Sequence, residues 1–473
     1  MSPTSIEHAD GLPQPQRNRA TLTILLGLSL SVISSALINV ALPTIAADLG
    51  TTPALSIWVV SGYQLAITIS LLPLASLGEI VGYRRVYMTG LFVFTLSSVF
   101  CTFSHTLPLL IAARVIQGFG AAGIMSVNTA LLRFIYPRAQ LGRGIGLNAL
   151  VVATSAAIGP TLASGVLMFG KWPSLFFINI PIGAAALALG WRNLPYTKPA
   201  SHSFDWPSAC LSAITFGAGI FGIDSIGHGD SLLVCLIEFG IAAVAGTLLV
   251  YRETHVTPPL LPIDLLRIPV FALSVAASIA SFCGQTLAYV AIPFYLQSHL
   301  GYSAVHMGLL ITPWPITVAI AAPLAGRLVE HYPAGLLGGI GLLLLAAGLG
   351  SLALLPDDPL AIDVIWRMAL SGLGFGLFQT PNNRTMIAAA PRERTGGASG
   401  MLGTARLLGQ TTGAALVALF LGRYPNDGPR MALLAGVGFA LCGAVLSMLR
   451  LSPTGARGAE QVRVQDDQRM KGD

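Results

Sequence analysis

Charge is what this chain has least of. Aspartate, glutamate, lysine and arginine together make 10% of its 473 residues, against 54% hydrophobic residues and a mean hydropathy of +0.73. Soluble domains carry about 25% charged residues, so an ordinary water-soluble fold is excluded. Cysteine is scarce too. Cys101, Cys210, Cys235, Cys283 and Cys442 all fall in apolar runs without metal-ligand spacing, which excludes a zinc site and a disulfide framework. No nucleophile, metal cluster or phosphate-binding loop stands in a supporting context, so no enzyme, cofactor or metal is expected. Acids are missing in one further place: outside a central pair of apolar runs, none lies near the middle of any run.

What fills the chain instead is about fourteen apolar stretches of roughly 20 residues, each long enough to cross a bilayer as a helix. They cover 21–42, 57–77, 86–103, 109–131, 145–168 and 175–191, then a central pair at 209–226 and 231–251. The remaining six cover 270–292, 305–325, 336–355, 362–383, 398–421 and 431–449. The fold class expected is therefore all-α and integral to a membrane. Its units are a tail at 1–20, a six-helix bundle at 21–195, two additional helices at 205–252, a second six-helix bundle at 268–450 and a tail at 451–473. The polar start precedes a run too long for a signal peptide's core, so the first helix is expected to be retained.

Lysine and arginine sort by loop. Counting alternate crossings, twenty of the 26 basic residues fall on the side holding both termini; Lys171, Arg423 and Arg430 fall opposite, and Arg114, Arg367 and Arg406 fall within runs. Cytoplasmic loops retain basic residues, so both termini are expected in the cytoplasm and the membrane is expected to be the plasma (bacterial inner) membrane. The net charge of +6 is thus a matter of topology and implies no nucleic-acid partner.

An internal repeat organises the runs. The turn Ala75-Ser76-Leu77-Gly78-Glu79-Ile80-Val81-Gly82-Tyr83-Arg84-Arg85 has a weaker copy at Gly326-Arg327-Leu328-Val329-Glu330-His331, and Arg114 with Gly118 and Gly120 is echoed by Arg367 with Gly372 and Gly374. Two homologous halves of this kind are typical of transporters that bind solute between the repeats.

On these residues the chain resembles the major facilitator superfamily, specifically its fourteen-span drug:proton antiporters. The turn at 75–85 resembles the superfamily's loop signature, with Ala75 for its first glycine and Glu79 for its aspartate. The stretch from Leu110 to Gly120 resembles the next motif. Gly146, Ser155, Gly159, Pro160, Ala163 and Ser164 occupy the positions of the antiporter motif, with three of its glycines replaced. Trp172, Phe176 and 178–183 resemble the opening of span six in the fourteen-span group.

The resemblance implies the major facilitator fold and secondary active, alternating-access efflux of small organic compounds. It implies a conformational switch at Gly78, Glu79, Gly82 and Arg84, where Glu79 latches one access state, and gating at Gly146, Gly159 and Pro160. It also gives a coupling role to Arg114. Position alone puts Arg114 and Arg367 inside the apolar zone, where a guanidinium needs an interior partner, and Glu238 inside the central pair. Arg406 is read as an anchor at the cytoplasmic end of its span. Polar and aromatic residues expected around the solute are Asn39, Tyr63, Gln64, Gln117, Asn148, Gln285, Tyr289, Trp314, Phe378, Gln379, Asn382 and Gln410, against the plainer reading that they hydrogen-bond helix to helix.

One position departs from the family. Its first span carries a titrating aspartate shortly before N-V-A-L-P; here Asn39-Val40-Ala41-Leu42-Pro43 is kept and the acid is Ser34, which does not titrate near neutral pH. Gln410 stands where some relatives have a glutamate. Proton coupling is therefore an open expectation, and two arginines without embedded acids favour neutral, zwitterionic or anionic guests. Alternatives are a specific exporter or facilitator of a neutral or anionic metabolite without proton antiport, and a non-transporting solute sensor. The partners expected are a small-molecule substrate, protons and the lipid bilayer, with the chain acting as a monomer.

Overall fold

Within lipid, every backbone N–H and C=O must be satisfied inside the segment, and long apolar runs meet that demand as helices. A computed structural model describes residues 11–197, 200, 203–256, 261–356, 358–391 and 394–451. Most of both tails, together with Lys198 and Arg392, lies outside them.

Fourteen helices are long and apolar enough to cross a membrane: α1 (Gln16–Asp48), α2 (Pro53–Val81), α3 (Tyr83–Thr102), α4 (Leu107–Ile135), α5 (Leu141–Phe169), α6 (Ser174–Asn193), α7 (Trp206–Gly227), α8 (Leu232–Glu253), α9 (Pro269–Ser298), α10 (Ala304–Leu328), α11 (Ala334–Ala353), α12 (Ala361–Ala389), α13 (Gly397–Arg423) and α14 (Gly428–Leu449). No strand occurs among the described residues. An even number of crossings brings both ends of the chain to one side, called the terminal side below.

Helices α1–α6 pack mainly on one another, and α9–α14 do the same. Glycines set the closest approaches, since a missing side chain lets two backbones meet. A Cβ added at Gly90 of α3 would stand 2.8 Å from the carbonyl oxygen of Gly120 in α4; one at Gly341 of α11 would stand 2.7 Å from that of Gly374 in α12. Gly118 likewise abuts the Tyr63 carbonyl, as Gly372 abuts that of Trp314. Positions 90 and 341, and 63 and 314, are each 251 residues apart, the spacing of the sequence repeat. Two six-helix bundles of matching construction result.

The central pair stands outside both. Asp205 caps α7, accepting from the Ser208 N–H and side chain, and pairs with Arg252 near the end of α8 at 2.9 Å. Helix α8 packs mainly on α7 and leaves Leu232, Leu236, Ile241, Val244 and Leu248 exposed. Helix α7 lies along the seam where α2 of one bundle meets α13 of the other. There Trp58 Nε1 donates to Asp224 at 3.0 Å and its ring stacks on Phe221, while Gly227 abuts Leu419.

Candidate functional site at the bundle interface

Arg114 is fully buried on α4. Its Nε donates to the Val59 carbonyl at 3.0 Å, and Nη1 donates to Ser34 Oγ at 3.2 Å and to Gln117 Oε1 at 2.6 Å. Gln117 passes the chain on, donating to Ser98 Oγ at 2.8 Å. The guanidinium lies 3.9 Å from the ring centre of Tyr63, whose hydroxyl donates to the Ser31 carbonyl at 3.1 Å. Nη2 has no partner. Ser34, the position of the missing acid, thus reaches the very cation an acid there would neutralise. No carboxylate replaces it among the described hydrogen bonds of Arg114, so the charge is solvated by dipoles and a ring face instead.

Arg367, the sequence counterpart of Arg114, is held differently. Its Nη1 meets Asp363, one turn earlier on α12, at 3.2 Å, and the guanidinium packs over Trp366. The near-symmetry of the two halves therefore breaks at this pair: one arginine is neutralised and the other is not.

The other expected cavity residues separate into three groups. Tyr289 and Trp314 meet edge to face with ring centres 4.9 Å apart, the Trp314 Nε1 being buried without an acceptor. Asn39 Oδ1 and Gln64 Oε1 are also buried and unpartnered, while Gln285, Gln379 and Gln410 are half-buried. These side chains have hydrogen-bonding capacity left to give. Asn148 is engaged, accepting from Asn128 Nδ2 of α4 at 2.7 Å. Asn382 and Phe378 lie inside the second bundle. Asn382 Oδ1 accepts from Arg450 Nη1 at 2.9 Å, its Nδ2 reaches the Ser274 carbonyl, and Arg450 also binds Ser447 and Ser274 Oγ, so α9, α12 and α14 are clamped together at the terminal side. Phe378 is fully buried against Phe375, α11 and their neighbours.

Sequence position gave Arg450 to the tail and Arg406 to the cytoplasmic end of its span; the structure differs on both. Arg450 is a buried tie. Arg406 lies about 13 Å along α13 from Gly397, too deep for a simple end anchor. A helix-end cation and an interior one look alike in hydropathy, and only the face it occupies distinguishes them.

The switch residues cluster within one bundle. Gly82 has φ +101°, a region other residues rarely adopt, and turns the chain from α2 into α3. Thr197 Oγ1 accepts from the Tyr83 N–H, the Glu79 carbonyl accepts from the Ala200 N–H, and Arg84 binds the Trp191 carbonyl and covers the Tyr196 ring at 3.9 Å. Gly78 is pressed against Val127 of α4. These contacts join the turn to the end of α6. Gly159 and Pro160 sit where α5 meets other helices: a side chain at Gly159 would collide with Ala36 of α1, and Pro160 with Ser164 faces Gly308 of α10. Gly146 faces open space. Glu238 lies on α8, with Oε2 buried and unpartnered.

Cross-bundle hydrogen bonds show which side is closed. Thr161 of α5 meets Thr312 of α10 at 2.9 Å; Gln297 of α9 donates to the Val40 carbonyl at 3.3 Å and accepts from Thr44 of α1. All lie in the half remote from the termini. Along the α2–α13 seam, Thr68 meets Thr411 at mid-depth at 3.0 Å. An apolar groove of 370 Å³ between α2, α4 and α7, lined by Trp58, Leu65, Val115 and Phe221 among others, contains none of the polar candidates.

Two repeated six-helix bundles facing each other, with polar side chains between them, define a membrane transporter. The Major Facilitator Superfamily model matches residues 24–414, and the chain belongs to that family. Its members carry small molecules across a bilayer and are not enzymes. The chain is 53% identical to the uncharacterized transporter YebQ of Escherichia coli (strain K12), covering 95% of this chain and 99% of that one. It is 30% identical to the riboflavin transporter RibZ of Clostridioides difficile (strain 630), over 84% of this chain and 87% of the other. Identity is also 30% to the multidrug resistance protein Stp of Mycobacterium tuberculosis (strain CDC 1551 / Oshkosh), over 84% and 75%.

Proposed function

We propose that this protein exports small organic compounds from the bacterial cytoplasm across the inner membrane by alternating access. The moving bodies are 21–195 and 268–450, both termini are cytoplasmic, and the chain acts as a monomer. The observation that carries this is the one-sided closure: among the described residues, the hydrogen bonds that join α1 to α9 and α5 to α10 lie in the half remote from the termini. With basic residues holding the terminal side in the cytoplasm, that geometry is a carrier resting open to the cell interior, ready to load its cargo.

The drug-exporter reading draws on the antiporter motif and on the similarity to Stp; similarity to RibZ supports a single metabolite as cargo. Ser34 favours export without proton antiport, because the position that would exchange a proton holds a hydroxyl against Arg114. Flux in proteoliposomes, measured with and without an imposed pH gradient, tests both parts. Flux indifferent to the gradient supports the uncoupled form. Gradient-driven accumulation restores antiport, and absence of flux for drugs and flavins alike sinks the export reading.

A further inference from the structure

Three arginines lie within membrane spans, and their surroundings separate them. Arg114 is held by Val59, Ser34, Gln117 and Tyr63, and Arg367 by Asp363. Arg406 has neither a hydrogen bond nor an ion pair among the described residues, and its Nε is buried without an acceptor.

The face it occupies follows from its neighbours on α13. Gly409 and Gly413 press against α9 at Ile279, Phe282 and Cys283, whereas Gly403 and Thr411 face Leu71 and Thr68 of α2. At about 100° per residue, Arg406 and then Gln410 fall between those two faces. They therefore point into the wedge between α9 of one bundle and α2 of the other, with Gln410 one turn further from the terminal side. Arg406 is half-buried, so its fork is open to a guest while its Nε is dry and, among the described residues, no acid faces it; an anion that fits the planar fork removes the cost of that unmatched charge.

We propose that Arg406 is the receptor for the anionic group of the cargo, with Gln410 donating a second hydrogen bond, and that the cargo is an amphipathic organic acid. This rests on the transport reading above and narrows it. Arg406 holds the acid group, and the apolar body packs on the ring of half-buried Tyr289, which meets Trp314 edge to face. The recognition is by charge and fork geometry, so lysine at 406 keeps the sign of the preference and loses part of its strength.

The test uses the full-length protein in nanodiscs of zwitterionic lipid and three probes sharing one ring system: 1-naphthoate, 1-naphthalenemethanol and 1-naphthylmethylammonium. Binding to the wild type is expected to follow that order, the acid binding at least tenfold tighter than the alcohol. Arg406→Gln is expected to erase the difference between acid and alcohol while leaving alcohol binding in place, which also reports that the variant is folded; Arg406→Lys should retain a reduced difference. The proposal is overturned if the acid binds no better than the alcohol, if the ammonium binds best, or if Arg406→Gln leaves the preference intact. It is also overturned if phosphatidylglycerol in the disc abolishes naphthoate binding, because the anion seated there is then a lipid headgroup. Wild type that binds naphthoate without carrying any solute in liposomes would sink the transport reading and leave the receptor assignment standing.

Discussion

At the scale of single residues, the contact between Ser34 and Arg114 is where the proposed lack of proton antiport is put to the test. A hydroxyl at 3.2 Å accepts a hydrogen bond but offers no proton to exchange near neutral pH. Ser34→Asp places a titratable group against that guanidinium. The variant is expected to show flux that responds to an imposed pH gradient where the wild type's does not, measured in the same proteoliposomes. How much of this was readable beforehand depends on the residue. The depth of Arg114 required an interior partner, and the one-turn spacing of Asp363 and Arg367 already allowed their pairing. Arg406 and Arg450 gave no such signal, because hydropathy does not distinguish an interior cation from one at a helix end, and only tertiary packing shows that one is tied and the other is not.

At the scale of helices, two glycines of α5 make opposite demands. Gly159→Val drives a branched side chain into Ala36, and overpacking of this kind costs about 1–3 kcal/mol. Lower thermal stability and slower flux are the expected result. Gly146→Ala enters open space and is expected to leave both unchanged, with a small gain in helix propensity.

The central pair offers a pH test. Partial burial works to raise the Asp205 carboxyl, but hydrogen bonds from Arg252 and Ser208 prevail and hold it below the usual carboxylate range. A folded pKa below the unfolded value of about 3.9 means that the link stabilises above that value and is lost as pH falls through the folded one. Asp205→Asn is therefore expected to unfold at a lower temperature than the wild type at pH 7, by an amount worth at most about 1 kcal/mol for so exposed a pair. The two melting curves should converge in strong acid. Helix positions themselves were legible in sequence, since hydropathy and length suffice for them. The docking of α7 was not: Trp58 and Asp224 are 166 residues apart, and no local pattern links them.

At the scale of the whole molecule, the repeat was legible as a spacing and reappears as geometry. The 251-residue offset that aligned two turns also relates Gly90 of α3 to Gly341 of α11, and the glycines they meet, Gly120 of α4 and Gly374 of α12, stand in the same order three residues further apart. Departures from the repeat, such as the unequal treatment of Arg114 and Arg367, needed coordinates. The closed half gives a direct test of alternating access. Cysteines replacing Thr161 and Thr312, whose hydroxyls lie 2.9 Å apart, are expected to form a disulfide under oxidant and stop flux, and reductant is expected to restore it. Flux that persists in the cross-linked protein would show that the two bundles do not part there.

Because α7 is stitched to both α2 and α13, the two halves share a spine along that edge, as the covers of a bound volume do. A spine of that kind leaves α2 and α13 the least free to part, so a rocking motion is expected to show its largest displacements at α5 and α10.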